Sequence, residues 1–242
     1  MIPEKYTYLL VNGLSILIPF IASFDKRSPF YKKWRFFFPA MFITMAFFIA
    51  WDVLYTHMEI WGFNERYLTG INIINLPLEE WLFFFTIPYA CVFTYEAFGY
   101  IFGRDNFRRV SRQISWSLIF ILLTVSILYP GRLYTSVTFG LTAIFIYLHL
   151  RVFRSDYLGH FYFSYLFILF PFFIVNGILT GSFIEEQVVY YDDTMNLGVR
   201  MFTIPIEDSV YGLLLILMNV TLFEYFKRKA GYKEATRKNG VL

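Results

Sequence analysis

The chain has one cysteine, Cys91, in 242 residues. A single thiol forms no internal disulfide and builds neither a CxxC metal site nor a redox pair, so Cys91 reads as a small apolar filler in a helix. No Gly-x-Gly-x-x-Gly run follows a candidate strand, which leaves no visible dinucleotide-binding fold. Charge is sparse: Asp, Glu, Lys and Arg make up 16% of the chain, and a net charge of +3 requires no nucleic-acid partner. The three histidines, His57, His149 and His160, stand at the ends of apolar stretches without metal-ligand spacing and read as interfacial residues. No lysine lies inside an apolar stretch, which excludes a retinal-type Schiff base. The expectation is a protein without metal or cofactor.

Apolar residues supply 57% of the chain and aromatic ones 23%, with a mean hydropathy of +0.52. Soluble domains stay near about 45–50% apolar. Segments 6–24, 36–56, 77–102, 114–129, 134–150, 161–180 and 202–226 consist mostly of Phe, Leu, Ile, Val and Tyr. Most approach or exceed the roughly 20 residues that cross a bilayer core; 114–129 and 134–150 are shorter. The first lacks a basic flank and a small-residue cleavage site, so it reads as a retained span rather than a signal peptide. With seven alternating spans, all of the 21 lysines and arginines except Lys5, Arg66, Arg132 and Arg200 fall on one side. The positive-inside rule then predicts an outer N-terminus and a cytoplasmic C-terminus. The predicted fold class is all-α, a polytopic protein of the cytoplasmic membrane.

One short phrase occurs twice. Leu76-Pro77-Leu78-Glu79-Glu80 is matched by Ile204-Pro205-Ile206-Glu207-Asp208, and the offset of 128 holds without a gap from Gly70/Gly198 to Phe98/Phe226. Phe47-Phe48-Ile49-Ala50 likewise resembles Phe172-Phe173-Ile174-Val175. A long-period repeat signals a duplicated structural unit. The expected organisation is a three-helix repeat over 1–103, a linker with the fourth span over 104–133, a second three-helix repeat over 134–229 and a basic tail over 230–242. One linking span makes the two triplets parallel, so matching residues share a depth. Glu79, Glu80, Glu207 and Asp208 are then expected to converge in one cavity.

Proline at the first position of a helix with acids in its first turn is also an ordinary helix start in the headgroup zone. Several features favour a functional cluster instead. Asp52 adds a carboxylate at this level, Asn176 occupies a neighbouring repeat position, and Tyr211 stands one turn after Glu207, where it can support an acid. The Trp81-Leu82-Phe83-Phe84-Phe85 run surrounds the pair with rings rather than lysines. Intramembrane carboxylates mark functional sites by default. Several of them in one poorly hydrated pocket cannot all ionise, so a protonated acid stands beside an ionised base. Aromatic faces stabilise cations. The suggested chemistry is protonation of an electron-rich double bond in a lipid-soluble substrate, followed by proton loss from a carbocation.

Glu96 and Glu224 also match across the repeat but lie 17 residues further on, roughly 25 Å along their helices. They are expected to pair structurally with Arg104, Lys227 or Arg228. Tyr191-Asp192-Asp193 is one weak diphosphate-type acidic motif without a partner and reads as a solvated outer loop.

The paired Pro-x-Glu-Glu and Pro-x-Glu-Asp-x-x-Tyr phrases resemble the membrane-integral lycopene β-cyclases. So do Trp51-Asp52, Gly70, Gly198 and the run Asn176-Gly177-Ile178-Leu179-Thr180. These enzymes occur as one fused chain, as two small subunits, or joined to a phytoene synthase, and the resemblance spans nearly the whole sequence. It implies cyclisation of the ψ-ends of lycopene to β-ionone rings, an isomerisation without net redox change, within carotenoid biosynthesis. It carries Glu79, Glu80, Glu207 and Asp208 over as catalytic residues; Asp52, Asn176, Tyr211, Trp51 and Phe83 are expected in supporting or substrate-binding roles. Implied partners are lycopene, membrane lipid and other carotenoid-pathway enzymes. The flavin-dependent, soluble-fold cyclases do not fit. Two alternatives remain: a carotenoid hydratase that traps the same cation with water, and a small-solute transporter of three-plus-one-plus-three topology.

Overall fold

The computed structural model describes residues 3–232. Among these residues seven helices, taken with their flanking 3-10 and π turns, are long and apolar enough to cross a membrane: α1 (Thr7–Ala22), α2 (Trp34–His57), α3 (Leu78–Phe102), α4 (Ser111–Leu128), α5 (Leu133–Leu148), α6 (Leu158–Leu179) and α7 (Ile206–Lys229). Short 3-10 turns precede α1 and α2, and α5 runs on into a π-helical turn at His149–Phe153. This is an all-α polytopic membrane protein. Of the tail expected over 230–242, Lys233, Arg237 and Lys238 lie outside the described residues.

Among the described residues, three two-stranded ribbons break the all-helical pattern. The strands are β1 (Trp61–Phe63), β2 (Asn72–Ile73), β3 (Leu76–Pro77), β4 (Val189–Tyr191), β5 (Arg200–Met201) and β6 (Ile204–Pro205). β2 pairs with β3 and β5 with β6, each antiparallel, immediately before α3 and α7. The final span therefore starts at Ile206 rather than at residue 202, because the chain before it is committed to the β5–β6 ribbon. Pro77 and Pro205 are not the first helical residues, as expected, but the extended caps before them, with ψ of 149° and 138°. Matching hydrogen bonds seal both junctions: Leu78 N–H to Ile71 O at 2.8 Å and Ile206 N–H to Val199 O at 3.0 Å. Gly70 and Gly198 both have positive φ, +84° and +69°, a conformation that glycine adopts without a steric penalty. The repeat thus preserves backbone geometry as well as acids.

β1 and β4 join the two halves. Trp61 pairs with Tyr191, Gly62 with Tyr190 and Phe63 with Val189. Gly62 and Tyr190 are 128 residues apart, and the outer pairs are each other's repeat equivalents exchanged. That reciprocity is what a two-fold axis through the ribbon produces. The helices obey the same axis. α1 packs on α3 as α5 packs on α7, while α2 crosses to α7 and α6 crosses to α3; α4 lies against α5.

Opposite the acids, the far end of the bundle is tied by ions. Glu96 accepts from Lys33, Arg104 and Lys227, and Glu224 accepts from Arg104 at 2.7 Å, Lys227 at 3.2 Å and the Tyr95 hydroxyl at 3.0 Å. The expected partners Arg104 and Lys227 are there and Lys33 joins them, whereas Arg228 pairs with Asp156 instead. His57 is exposed at the end of α2, but His149 and His160 are fully buried rather than interfacial. His149 bridges Ser155 (2.6 Å) and Thr221 (3.0 Å), and His160 meets the Tyr95 carbonyl at 2.9 Å, so both are packing residues with polar partners.

Candidate active site

Consecutive helical residues point about 100° apart, so the two acids of each phrase face different surroundings. The first acid turns back toward its own loop. Glu79 Oε1 accepts the Thr69 N–H at 2.7 Å, and Glu207 Oε1 accepts the Leu197 N–H at 2.8 Å, again at matching positions. Asn12 of α1 holds the Glu79 carbonyl at 2.9 Å, and Thr135 of α5 donates to Glu207 at 2.6 Å. Both carboxyls are wholly buried, and neither lines the cavity described below. Convergence of four acids is therefore replaced by convergence of one from each phrase, because helical phase sends the other two to pin the loops.

The second acid of each phrase faces inward. Tyr8 of α1 donates to Glu80 Oε2 at 2.5 Å. Tyr134, at the equivalent place on α5, donates to Asp208 Oδ1 at 2.6 Å, and Tyr191 of β4 donates to Asp208 Oδ2 at 3.0 Å. Burial and the neighbouring Asp208 push the Tyr191 hydroxyl well above the ordinary phenol range, which keeps it a proton-bearing donor. Asp52, near the end of α2, accepts from the Trp61 indole, while its Oδ2 has no partner among the described residues.

Glu80, Asp208 and Asp52 line one cavity of about 480 Å³. Trp61, Phe83, Tyr211 and Asn176 stand around it, and apolar faces of α1, α3, α6 and α7 extend it toward the middle of the bundle. Tyr211 does not support Glu207 as expected. Among the described residues its hydroxyl has no hydrogen-bond partner, and its ring packs edge-on against Phe48 (5.0 Å) and Trp51 (5.3 Å). Trp51 in turn stands behind Tyr211 rather than on the cavity wall. The Tyr191-Asp192-Asp193 stretch is divided: Tyr191 belongs to the cavity, while Asp193 pairs with Arg200 at 2.6 Å in the outer loop.

Sequence reasoning missed Tyr8, Tyr134, Trp61 and Tyr191. Tyr8 and Tyr134 carry a detectable signal, since Tyr-x-x-Val recurs at 8–11 and 134–137. Its offset of 126 rather than 128 hides it from a search at one fixed period. Trp61 and Tyr191 reach the acids only through the β1–β4 pairing, which links residues 130 apart in sequence.

Fold and site together define a seven-helix membrane protein with an internal two-fold, whose carboxyl groups meet in a ring-lined chamber within the bundle. The chain belongs to the lycopene cyclase family, whose model matches residues 5–98 and 131–226, one stretch in each half. No curated protein and no solved structure matches it.

Proposed function

We propose that this cyclase converts the ψ-ends of lycopene into β-ionone rings by carboxyl acid–base catalysis. The observation that carries this reading is the meeting of Glu80, Asp208 and Asp52 in one aromatic-walled cavity inside the membrane-spanning bundle. A carboxyl proton adds to the terminal double bond of the polyene. The nearby double bond then closes a six-membered ring on the resulting cation, and a carboxylate removes a ring proton. One proton enters and one leaves, so the product is an isomer of the substrate. Each oxygen of Asp208 accepts a phenol O–H bond, which favours the carboxylate and suits it to accept a proton. Asp52 Oδ2 and the second oxygen of Glu80 carry no such bond, so delivery falls to one of these two. Trp61, Tyr134, Tyr191 and Tyr211 offer ring faces to the cation between the two steps. Glu79 and Glu207 support the site by fixing the loops from which Trp61 and Tyr191 project.

The basic end of the bundle faces the cytoplasm in this reading, with the cavity toward the outer face. Lycopene arrives from the lipid phase, passed on by other enzymes of the carotenoid pathway. Expression in a lycopene-accumulating host, followed by pigment analysis, tests the assignment. Cyclic products of unchanged mass are expected. Unchanged lycopene beside well-inserted protein would contradict it, and products heavier by one water would identify a hydratase.

A further inference from the structure

The internal two-fold relates the gap between α1 and α6 to the gap between α5 and α2, yet the two gaps differ. Between α1 and α6, Leu14, Ile18 and Ile174 line the cavity and are also 68%, 74% and 48% exposed on the outside of the bundle. The same side chains border chamber and surroundings, so the chamber opens sideways there. Between α5 and α2 the corresponding space is full. The repeat offset of 125 sets Trp51 opposite Asn176 and Tyr55 opposite Thr180, and the offset of 128 sets Phe84 opposite Gly212. Trp51, Tyr55 and Phe84 are all buried. The Tyr55 hydroxyl reaches across to the Leu133 carbonyl of α5 at 3.2 Å, and Phe84 packs on Phe48 with ring centres 6.2 Å apart. On the open side Gly212 lines the cavity, where an added Cβ would stand 3.3 Å from the Tyr165 hydroxyl and 3.7 Å from the Phe172 ring. A large residue there would fill the space that Phe84 fills in the other half.

We infer that the chain has a single reaction chamber, entered from the bilayer between α1 and α6, which admits one end of an extended polyene at a time. The occupant follows from the lining, which is apolar along α1 and α6 and carries carboxyls only at its inner end. Each half contributes an acid, Glu80 and Asp208, to this one chamber, so duplication has produced one site rather than two. A polyene with two identical ends keeps its second end in the bilayer during the first cyclisation. With one mouth, that end reaches the acids only after the molecule has left and turned. Gly212 is the specificity-determining position that keeps the chamber open. This inference rests on the cyclase reading for its chemistry but not for its stoichiometry.

Two measurements on the full chain in lipid nanodiscs test it. Bound lycopene, read by absorbance, is expected to saturate at one per chain; two per chain would overturn the single chamber. Gly212→Phe is expected to weaken that binding about tenfold or more, because its ring takes the space the polyene needs. Wild-type binding by a folded Gly212→Phe protein would overturn the role of this position, and should the variant not fold, the wild-type measurements decide. In a time course with lycopene in large molar excess, free one-ringed product is expected to exceed the enzyme concentration before two-ringed product accumulates. Two-ringed product without that excess would overturn end-by-end handling. One lycopene bound per chain without any cyclic product would sink the cyclase reading and leave the chamber standing.

Discussion

In the first half of the molecule, Glu80 accepts one phenol hydroxyl, from Tyr8, and shares the chamber with Asp52. In the second half, Asp208 accepts two, from Tyr134 and Tyr191, and Gly177 stands where the repeat would put a counterpart of Asp52. The backbone that presents the two acids is the same on both sides: glycine with positive φ, hairpin, proline cap, and a first acid tied back to its own loop. Evolution by duplication has therefore kept the presentation and varied the partners. Among the described residues, one side has two carboxyls, Glu80 and Asp52, each with an oxygen that no phenol or indole engages; the other has a single carboxyl held by phenols at both. Such an asymmetric set assigns proton delivery and proton removal to different halves.

Asp52 offers the sharpest way to break this comparison, because only the first half has it. Asp52→Asn keeps an acceptor for the Trp61 indole but removes the proton. If Asp52 is the donor, cyclisation falls about a hundred- to ten-thousand-fold. An unaffected rate would assign delivery to Glu80, where Glu80→Gln should then produce the same loss. The tyrosines give a smaller, graded effect. A buried hydrogen bond contributes about 0.5–3 kcal/mol depending on the charge of its partner, so Tyr8→Phe should slow cyclisation about threefold or more. Tyr134→Phe should cost less, because Tyr191 still holds Asp208. Rates in membranes of matched protein content check the order, and an equal loss at both positions would remove the claimed asymmetry.

The sequence was most legible where hydrophobicity and repetition carry the information. Apolar stretches located all seven spans, and the doubled Pro-x-Glu phrase located the chamber end of α3 and α7. It was least legible where direction matters. Two adjacent acids look alike in a string, and only helical phase separates Glu79, bonded to Thr69, from Glu80, bonded to Tyr8. The ribbons escaped because two- and three-residue strands are too short to show an alternating pattern. The stretch 202–226 is mostly apolar in composition, yet Arg200–Met201 and Ile204–Pro205 pair as a hairpin at its head. His149 and His160 were misplaced because a span end in sequence can still be covered by neighbouring helices, as Thr221 covers His149. The long-range pairing of Trp61 with Tyr191 leaves no local trace at all.

The central claim is that the second acid of each phrase works in the chamber while the first one holds the loop. Cyclisation rates of Glu79→Gln, Glu80→Gln, Glu207→Gln and Asp208→Asn, each compared in lycopene-loaded membranes at equal protein, test it directly. The account predicts a loss of about a hundred- to ten-thousand-fold for Asp208→Asn, and the same for Glu80→Gln where Asp52→Asn leaves the rate intact. It predicts rates within about tenfold of wild type for Glu79→Gln and Glu207→Gln, whose amide oxygens still accept the Thr69 and Leu197 N–H groups. Folded Glu79→Gln or Glu207→Gln as inactive as Asp208→Asn would contradict it.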